Sequence, residues 1–406
     1  MSNYITTKKI YILIFVAVFS SMVQAYTFNE AVEVIKKHDA VELIKNKALA
    51  LREQGEIKGS WGDPMLKIAA KNYPKDSLAN DKTPMTGLEF SVSQKIALSS
   101  KYRNIKNAYS QLGVALNYSS QLKKQELLQR LWWALIESKK IDKQIFIYKE
   151  NLSWIKNTLK VSKKLYANGK ISQQALLDIQ IRKSEVEASL SNKKFELKQQ
   201  FTSLNYLLGM KGNVNLASVP WGMLVAKKKI QDVRELALMS KQRASESFLT
   251  ARKLAYIPDI TVSLGYTKRA NIDDQGDFLS AAISMPLPFS SNKYAAYDQA
   301  TFKKLEIIKT LADYKKSKNA KKEKIIYEVE KISAELGILK NKTIQFAENS
   351  REITTKSYRL GRSSYVELLQ SELKLQKLLV KKAMLIASLA KAQVNYKFLV
   401  GEKLYE

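Results

Sequence analysis

The chain has 406 residues, with 68 Lys and Arg against 38 Asp and Glu, a formal net charge of +30, and no cysteine. The lack of cysteine excludes disulfides, thiolate metal sites and a lipid-carrying N-terminal cysteine. The basic excess fits nucleic acid, anionic headgroups or a solvated surface. The lysines are nevertheless interspersed with glutamates, as in Lys321-Lys322-Glu323-Lys324, instead of forming a block with interleaved aromatics, so no nucleic-acid partner is expected.

Lys8 and Lys9, the apolar run Ile10 to Val18, and Val23-Gln24-Ala25 have the three parts of a secretory signal, which assigns residues 1–25 to a signal peptide. The run is shorter than the roughly 20 residues a membrane helix needs. Its removal takes two lysines and no acids, leaving +28.

Thr27-Phe28-Asn29-Glu30 opens a helix expected to run to Lys58, with Thr27 as cap and Gly59 as stop. The single His38 has no second imidazole anywhere and reads as a surface or core residue. After Gly62-Asp63-Pro64 the period changes to two. Leu66, Ile68 and Ala70 alternate with polar or small residues, and so do Leu88, Phe90 and Val92. The pattern returns after Pro258 with Ile260, Val262, Leu264 and Tyr266, and again with Leu279, Ala281, Ile283, Met285 and Leu287. Four strands with one apolar face each are therefore expected in a chain that is otherwise helical.

From about Tyr102 to Tyr166 there is no proline. Leu127, Leu131, Ala134, Ser138, Ile141, Ile145, Tyr148, Leu152, Ile155, Leu159, Ser162 and Tyr166 alternate spacings of three and four, a coiled-coil seam on a helix of roughly 100 Å. A second seam is expected along Ile325, Val329, Ile332, Leu336, Leu339, Thr343, Phe346, Ser350, Ile353, Ser357 and Leu360.

Tyr166-Ala-Asn-Gly169-Lys-Ile-Ser172 returns 192 residues later as Tyr358-Arg-Leu-Gly361-Arg-Ser-Ser364, and the offset places Leu197 on Leu389 and Gly209 on Gly401. Each glycine suits a left-handed helix end and each serine an N-cap, so each copy is a helical hairpin. The repeat divides the mature chain into residues 26–215 and 216–406, each a helix, a strand pair and a long hairpin. The returning helices, Ser172 to Leu208 and Ser364 to Val400, are too short to cover their partners. The sequence order suggests that the segment from Ile230 to Tyr256 completes the first and that from Phe28 to Gly59 the second.

Exported strands with one apolar face fit a transmembrane barrel in which Leu88, Phe90, Val92, Ile260, Val262 and Leu264 face lipid while Glu89, Ser91, Thr261 and Ser263 face water. A small soluble sheet packed on a helix is the alternative. Four strands cannot close a barrel, whereas three chains supply twelve. The fold class expected is mainly α with a small β part: duplicated hairpins in a coiled-coil tunnel, topped by a 12-stranded trimeric barrel. No phosphate-binding Gly loop, nucleophile elbow, paired-His site or Cys cluster is present, so neither enzymatic activity nor a cofactor or tight metal site is expected. The scattered methionines read as filler.

The duplicated tip, the strand pairs and the helix lengths resemble those of the outer-membrane efflux proteins of the TolC type. The resemblance implies a homotrimer in outer-membrane lipid, a helical tunnel in the periplasm, and partners in a periplasmic adaptor and an inner-membrane pump. The tips, with Gly169, Lys170, Gly361 and Arg362, are expected to be the adaptor-docking end because helix rise puts them about 100 Å from the strands; the alternative is that the glycines only terminate helices. Glu367, six residues after the second tip glycine, matches an acidic residue of the constricted periplasmic entrance, where a ring of three carboxylates would favour cations. Tyr358 matches the family's aromatic position, while Gln370 and Ser363 depart from its acidic and basic ones. Gly62-Asp63-Pro64-Met65-Leu66, Asn72-Tyr73-Pro74, Met85-Thr86-Gly87 and Gly169-Lys-Ile-Ser-Gln173-Gln174 are most similar to the CzcC-like branch, which implies heavy-metal cations as cargo. A drug or type I secretion duct of the same family, or a soluble periplasmic coiled-coil adaptor, is the alternative.

Overall fold

A computed structural model describes residues 26–209, 214–225 and 231–405; the expected signal peptide lies outside the described residues. In chain order the helices and strands are α1 (Phe28–Lys36), α2 (Asp39–Lys58), β1 (Met65–Lys71), β2 (Gly87–Ile96), α3 (Lys101–Ala167), α4 (Gln173–Leu208), α5 (Val233–Leu254), β3 (Ile260–Arg269), β4 (Phe278–Ser284), α6 (Ser291–Ile338), α7 (Ile344–Arg359) and α8 (Tyr365–Val400).

The first described helix opens with a capping box. Thr27 Oγ1 accepts from the Glu30 amide, and the Glu30 carboxylate accepts from the Thr27 amide at 2.7 Å. The expected single helix to Lys58 is in fact two, because His38 leaves the helix and caps the next one, its Nδ1 accepting from the Ala40 amide at 3.1 Å. The lone histidine is thus an N-cap, and its ring meets Tyr206 of α4 edge-on at 5.9 Å.

The two hairpin tips repeat atom for atom. Gly169 and Gly361 adopt φ of +67° and +69°. The Lys170 amide donates to Leu165 O and the Arg362 amide to Ser357 O, both at 2.8 Å, which closes the same left-handed cap twice. Ser172 Oγ accepts from the Ala175 amide, and Ser364 Oγ from the Glu367 amide.

The second rod, unlike α3, is interrupted by a π-helical turn at Leu339–Thr343. Up to Leu339 its seam matches the first copy at an offset of 191, Ile332 standing for Ile141 and Leu339 for Tyr148. Beyond the turn the face toward α8 carries Ile344, Ala347 and Tyr358, which match Leu152, Ile155 and Tyr166 at an offset of 192. The π turn absorbs one extra residue. The expected seam positions Phe346, Ile353 and Leu360 are consequently rotated outward and exposed.

Each short returning helix is completed by the segment expected for the other. The Gln231 amide donates to Gly401 O at 3.0 Å, so α8 leads into α5; Asp232 caps α5 and is held by Tyr314 and Lys318 of α6. At Gly401, with φ of +87°, a Cβ would lie 2.6 Å from Gln231 O. On the other side α4 ends against α1, and α2 runs on along α3. The crossed pairing interlocks the two repeats at a core built on Trp132. Trp132 Nε1 donates to Leu404 O at 2.9 Å, and its ring packs on Phe28 and Trp221.

The four strands form one antiparallel sheet in the order β1-β2-β3-β4. The fourth stops at Ser284, so Met285 and Leu287 lie beyond it, next to Pro286 and Pro288.

Candidate functional site: a one-sided sheet and paired hairpin tips

The register brings the expected apolar residues onto one face. Ile68 pairs with Phe90 and Phe90 with Tyr266, while Leu66 pairs with Val92, Val92 with Leu264, and Leu264 with Ala281. Leu88 pairs with Ala70; Val262 and Ile260 lie opposite Gln94 and Ile96. On a pleated sheet residues opposite one another point the same way, so all six expected lipid-facing residues share a face.

Curvature tells the two faces apart. On the central strands Leu264, Val92 and Phe90 of the apolar face are 64%, 51% and 40% exposed, whereas Glu89 and Thr267 of the polar face are 8% exposed although no helical layer covers the sheet. Side chains on the concave side of a bent sheet converge and shield one another, and those on the convex side splay. Two strand glycines lie on the crowded side: a Cβ at Gly87 would stand 2.8 Å from Thr267 Cγ2, and one at Gly265 3.2 Å from Ser91 Cβ. The polar face is therefore the inside of the curve. At its far end Arg269 is enclosed, paired with Asp273 at 2.7 Å and lying over the Phe278 ring, and it donates to the Gly276 and Pro84 carbonyls.

At the other end of α3 the two tips lie side by side. Leu165 and Ile171 of the first hairpin pack with Tyr358, Tyr365 and Leu368 of the second, and the nearby Asp178 carboxylate pushes the Tyr365 hydroxyl pKa up. Gly169, Lys170, Gly361 and Arg362 are exposed. Tyr358 is buried, its hydroxyl 2.8 Å from Ser162 Oγ, so it joins the hairpins instead of lining an opening within one chain. Glu367 and Gln370 are exposed; the Ser363 hydroxyl donates to the Glu367 carboxylate. Of the three expected entrance residues, Glu367 and Gln370 thus lie exposed one turn apart on α8, whereas Tyr358 is buried between the hairpins.

A polar node not expected from the sequence locks the hairpins between tip and core. Glu372 of α8 is almost fully buried; Asn151 Nδ2 of α3 donates to its carboxylate, and Arg351 of α7 lies 3.4 Å from it. Arg182 of α4 donates to Gln376, one turn further along α8. The only sequence signal for this node is a second heptad on α3, Gln144, Asn151, Thr158 and Leu165, in which the first three are polar yet buried.

Burial pushes the Glu372 carboxyl above the ordinary carboxylate range, and the nearby Arg351 and Arg182 only partly offset this. A carboxyl raised in this way binds its proton more tightly in the folded state. Its contribution to stability is full below the ordinary carboxylate range and is lost as pH rises through the raised value. Glu372→Gln is expected to flatten that part of the stability–pH profile. Glu372→Ala, which leaves Asn151 without its acceptor, should cost about 1–3 kcal/mol. Thermal unfolding across the acidic and neutral range measures both. An unchanged pH profile in Glu372→Gln would show that the node does not titrate.

Among the described residues no helix is long and apolar enough to cross a membrane, and no group of three His, Cys, Asp or Glu side chains is placed to hold a metal ion. No family model and no curated protein sequence matches the chain. Solved structures do. CusC, described in the context of transmembrane channel formation, superposes with a TM-score of 0.76 at 15% identity over 93% of this chain and 94% of that one. The outer membrane protein VceC of Vibrio cholerae gives 0.76 at 16% identity, over 93% and 96%. The open state of the MtrE outer membrane channel of Neisseria gonorrhoeae gives 0.72 at 12% identity, over 92% and 89%. The chain has the fold of these outer-membrane channel proteins. Its sheet and its tips occupy the two ends of that fold.

Proposed function

We propose that the chain is one of three protomers of a passive outer-membrane exit duct, whose sheet contributes four of twelve barrel strands and whose tips dock a periplasmic adaptor coupled to an inner-membrane pump. The observation that carries this reading is the curved sheet, convex and apolar outside, concave and polar inside, with β1 and β4 as open edges. Lipid tolerates no unpaired strand edge, so β4 of one copy must meet β1 of the next.

The flanks support the same closure. The side that follows β4 exposes Phe302, Phe346, Ile353 and Leu360 along α6 and α7. The side that leads to β1 exposes Leu49 and Ile57 on α2, continued by Ile181 and Phe195 on α4. Two different apolar flanks suit a head-to-tail contact that closes into a ring.

The tips are the docking end in this reading because they lie about 100 Å from the sheet, by the rise of α3. Glu367 and Gln370, exposed near the second tip, are assigned to the periplasmic entrance, with Tyr358 behind them fixing the spacing of the hairpins. Heavy-metal cations as cargo rest on the sequence motifs around Gly62, Asn72 and Met85.

The double variant Lys170→Glu/Arg362→Glu tests docking. Loss of export, with outer-membrane location and trimer mass unchanged, is the expected result. Unaltered export would leave the tips as helix ends only, and a soluble periplasmic monomer in the unsubstituted protein would overturn the duct itself.

A further inference from the structure

We propose that the barrel section of the duct is anion-selective, through two lysine-rich triads on the concave face of the sheet. The assignment rests on the duct reading, which makes that face the lumen wall.

In each triad two lysines share one carboxylate. Glu89 is 2.8 Å from Lys71 Nζ and 3.9 Å from Lys67 Nζ. Asp259 is 3.1 Å from Lys95 Nζ and 2.8 Å from Lys101 Nζ. Lys67 and Lys71 alternate with β1 residues of the apolar face, and Lys95 lies opposite Thr261 of the polar face. Each triad therefore leaves one uncompensated positive charge inside the curve, at opposite ends of the sheet.

The rest of the wall does not cancel this excess. Arg269 is matched by Asp273. The remaining strand residues of the concave face are uncharged, chiefly serine, threonine, glycine and alanine. The loops at the far rim carry, besides Asp273, four aspartates; Lys75, Lys82 and the adjoining strand residue Lys268 leave one negative charge at the outer edge. Over the strands and the two triads the wall keeps two positive charges per chain, hence six around a lumen shared by three copies, and Asp63 just before β1 adds one negative charge per chain at the near rim.

The carboxylates are held in, while the excess lysines reach out. Glu89 and Asp259 side chains are 10% and 6% exposed, whereas Lys67 is 65% and Lys95 48% exposed. A solute in the lumen meets ammonium groups, with the acids behind them. In a narrow passage with low-dielectric walls the potential of such a ring is focused, and ions within a Debye length of about 8–10 Å respond to it. The cargo class that passes most readily is anionic. A metal cation would cross this section together with anionic ligands that invert its charge.

The test is the permeability ratio of chloride to potassium for the purified trimer in a planar bilayer under a salt gradient. The ratio is expected to exceed one. Lys67→Glu removes two charges per chain and brings the lumen wall to neutrality, so the ratio should fall to about one, with Lys67→Gln intermediate. Glu367→Gln, far from the barrel, separates the contribution of the tips and should raise the ratio. A conducting Glu367→Gln trimer that prefers potassium, or an unchanged ratio in Lys67→Glu with the trimer intact on a gel, would overturn the assignment. A folded trimer that never conducts would overturn the duct reading and this inference with it.

Discussion

Val262→Arg is expected to abolish stable insertion, whereas Ser263→Arg, one residue along the same strand, should be tolerated. Val262 lies on the convex face, between Gln94 on β2 and Ile283 on β4. In the proposed barrel an arginine there would point into hydrocarbon, at a cost of about 2–4 kcal/mol per copy when near the midplane. Ser263, between Ser93 and Ala282, points into the concave, watered side, where an added cation meets no lipid. Extraction of membranes followed by separation of heat-resistant trimer from monomer distinguishes the two. Equal yields of trimer from both variants would count against a lipid-facing convex surface and return the sheet to the soluble alternative.

The strand faces were legible in the sequence because period-two alternation and side-chain direction are the same fact on a pleated sheet. Which face is concave was not, since the bend shows only in how closely Gly87, Glu89, Gly265 and Thr267 approach one another across β2 and β3. The tips were legible to the residue because a left-handed cap demands Gly and the following helix a Ser. The break at His38 was not, for neither glycine nor proline marks it and the cap is an imidazole.

The π turn was hidden in plain numbers. The two seams run 191 apart at Ile141 and Ile332, while the tips run 192 apart at Gly169 and Gly361, so one residue must be surplus between them. Extending the regular spacing past Leu339 ignored that surplus and put Phe346 inside and Tyr358 off the seam. The crossed pairing of the returning helices with α2 and α5 is a different kind of miss. Chain order favours the neighbour in sequence, but the contacts at Gly401 and Gln231 are long-range and leave no local pattern. The Glu372 node is not legible for a third reason: a heptad of Gln144, Asn151 and Thr158 looks like solvated surface until α8 is laid against it.

Trp132→Ala should be the most destabilising single change within the helical part. Trp132 is fully buried, and its indole joins three separate stretches of chain: Phe28 of α1 at 5.0 Å between ring centroids, Trp221 of the linker after α4 at 5.9 Å, and the C-terminal carbonyl of Leu404 through Nε1. Truncating a buried tryptophan to alanine costs about 3–5 kcal/mol, and here it also leaves the Leu404 carbonyl without its donor. The loss should show first at Leu404 and Trp221, whose contacts to α3 run through the Trp132 indole, while Glu402 keeps its ion pair with Lys397. Trp133, the next residue, is 38% exposed and donates only to Asn395, so Trp133→Ala should cost far less. Thermal unfolding of the detergent-extracted protein, read alongside limited proteolysis of the C-terminus, ranks the two. Similar melting temperatures and similar protection would mean that the core around Trp132 does not hold the crossed repeats together.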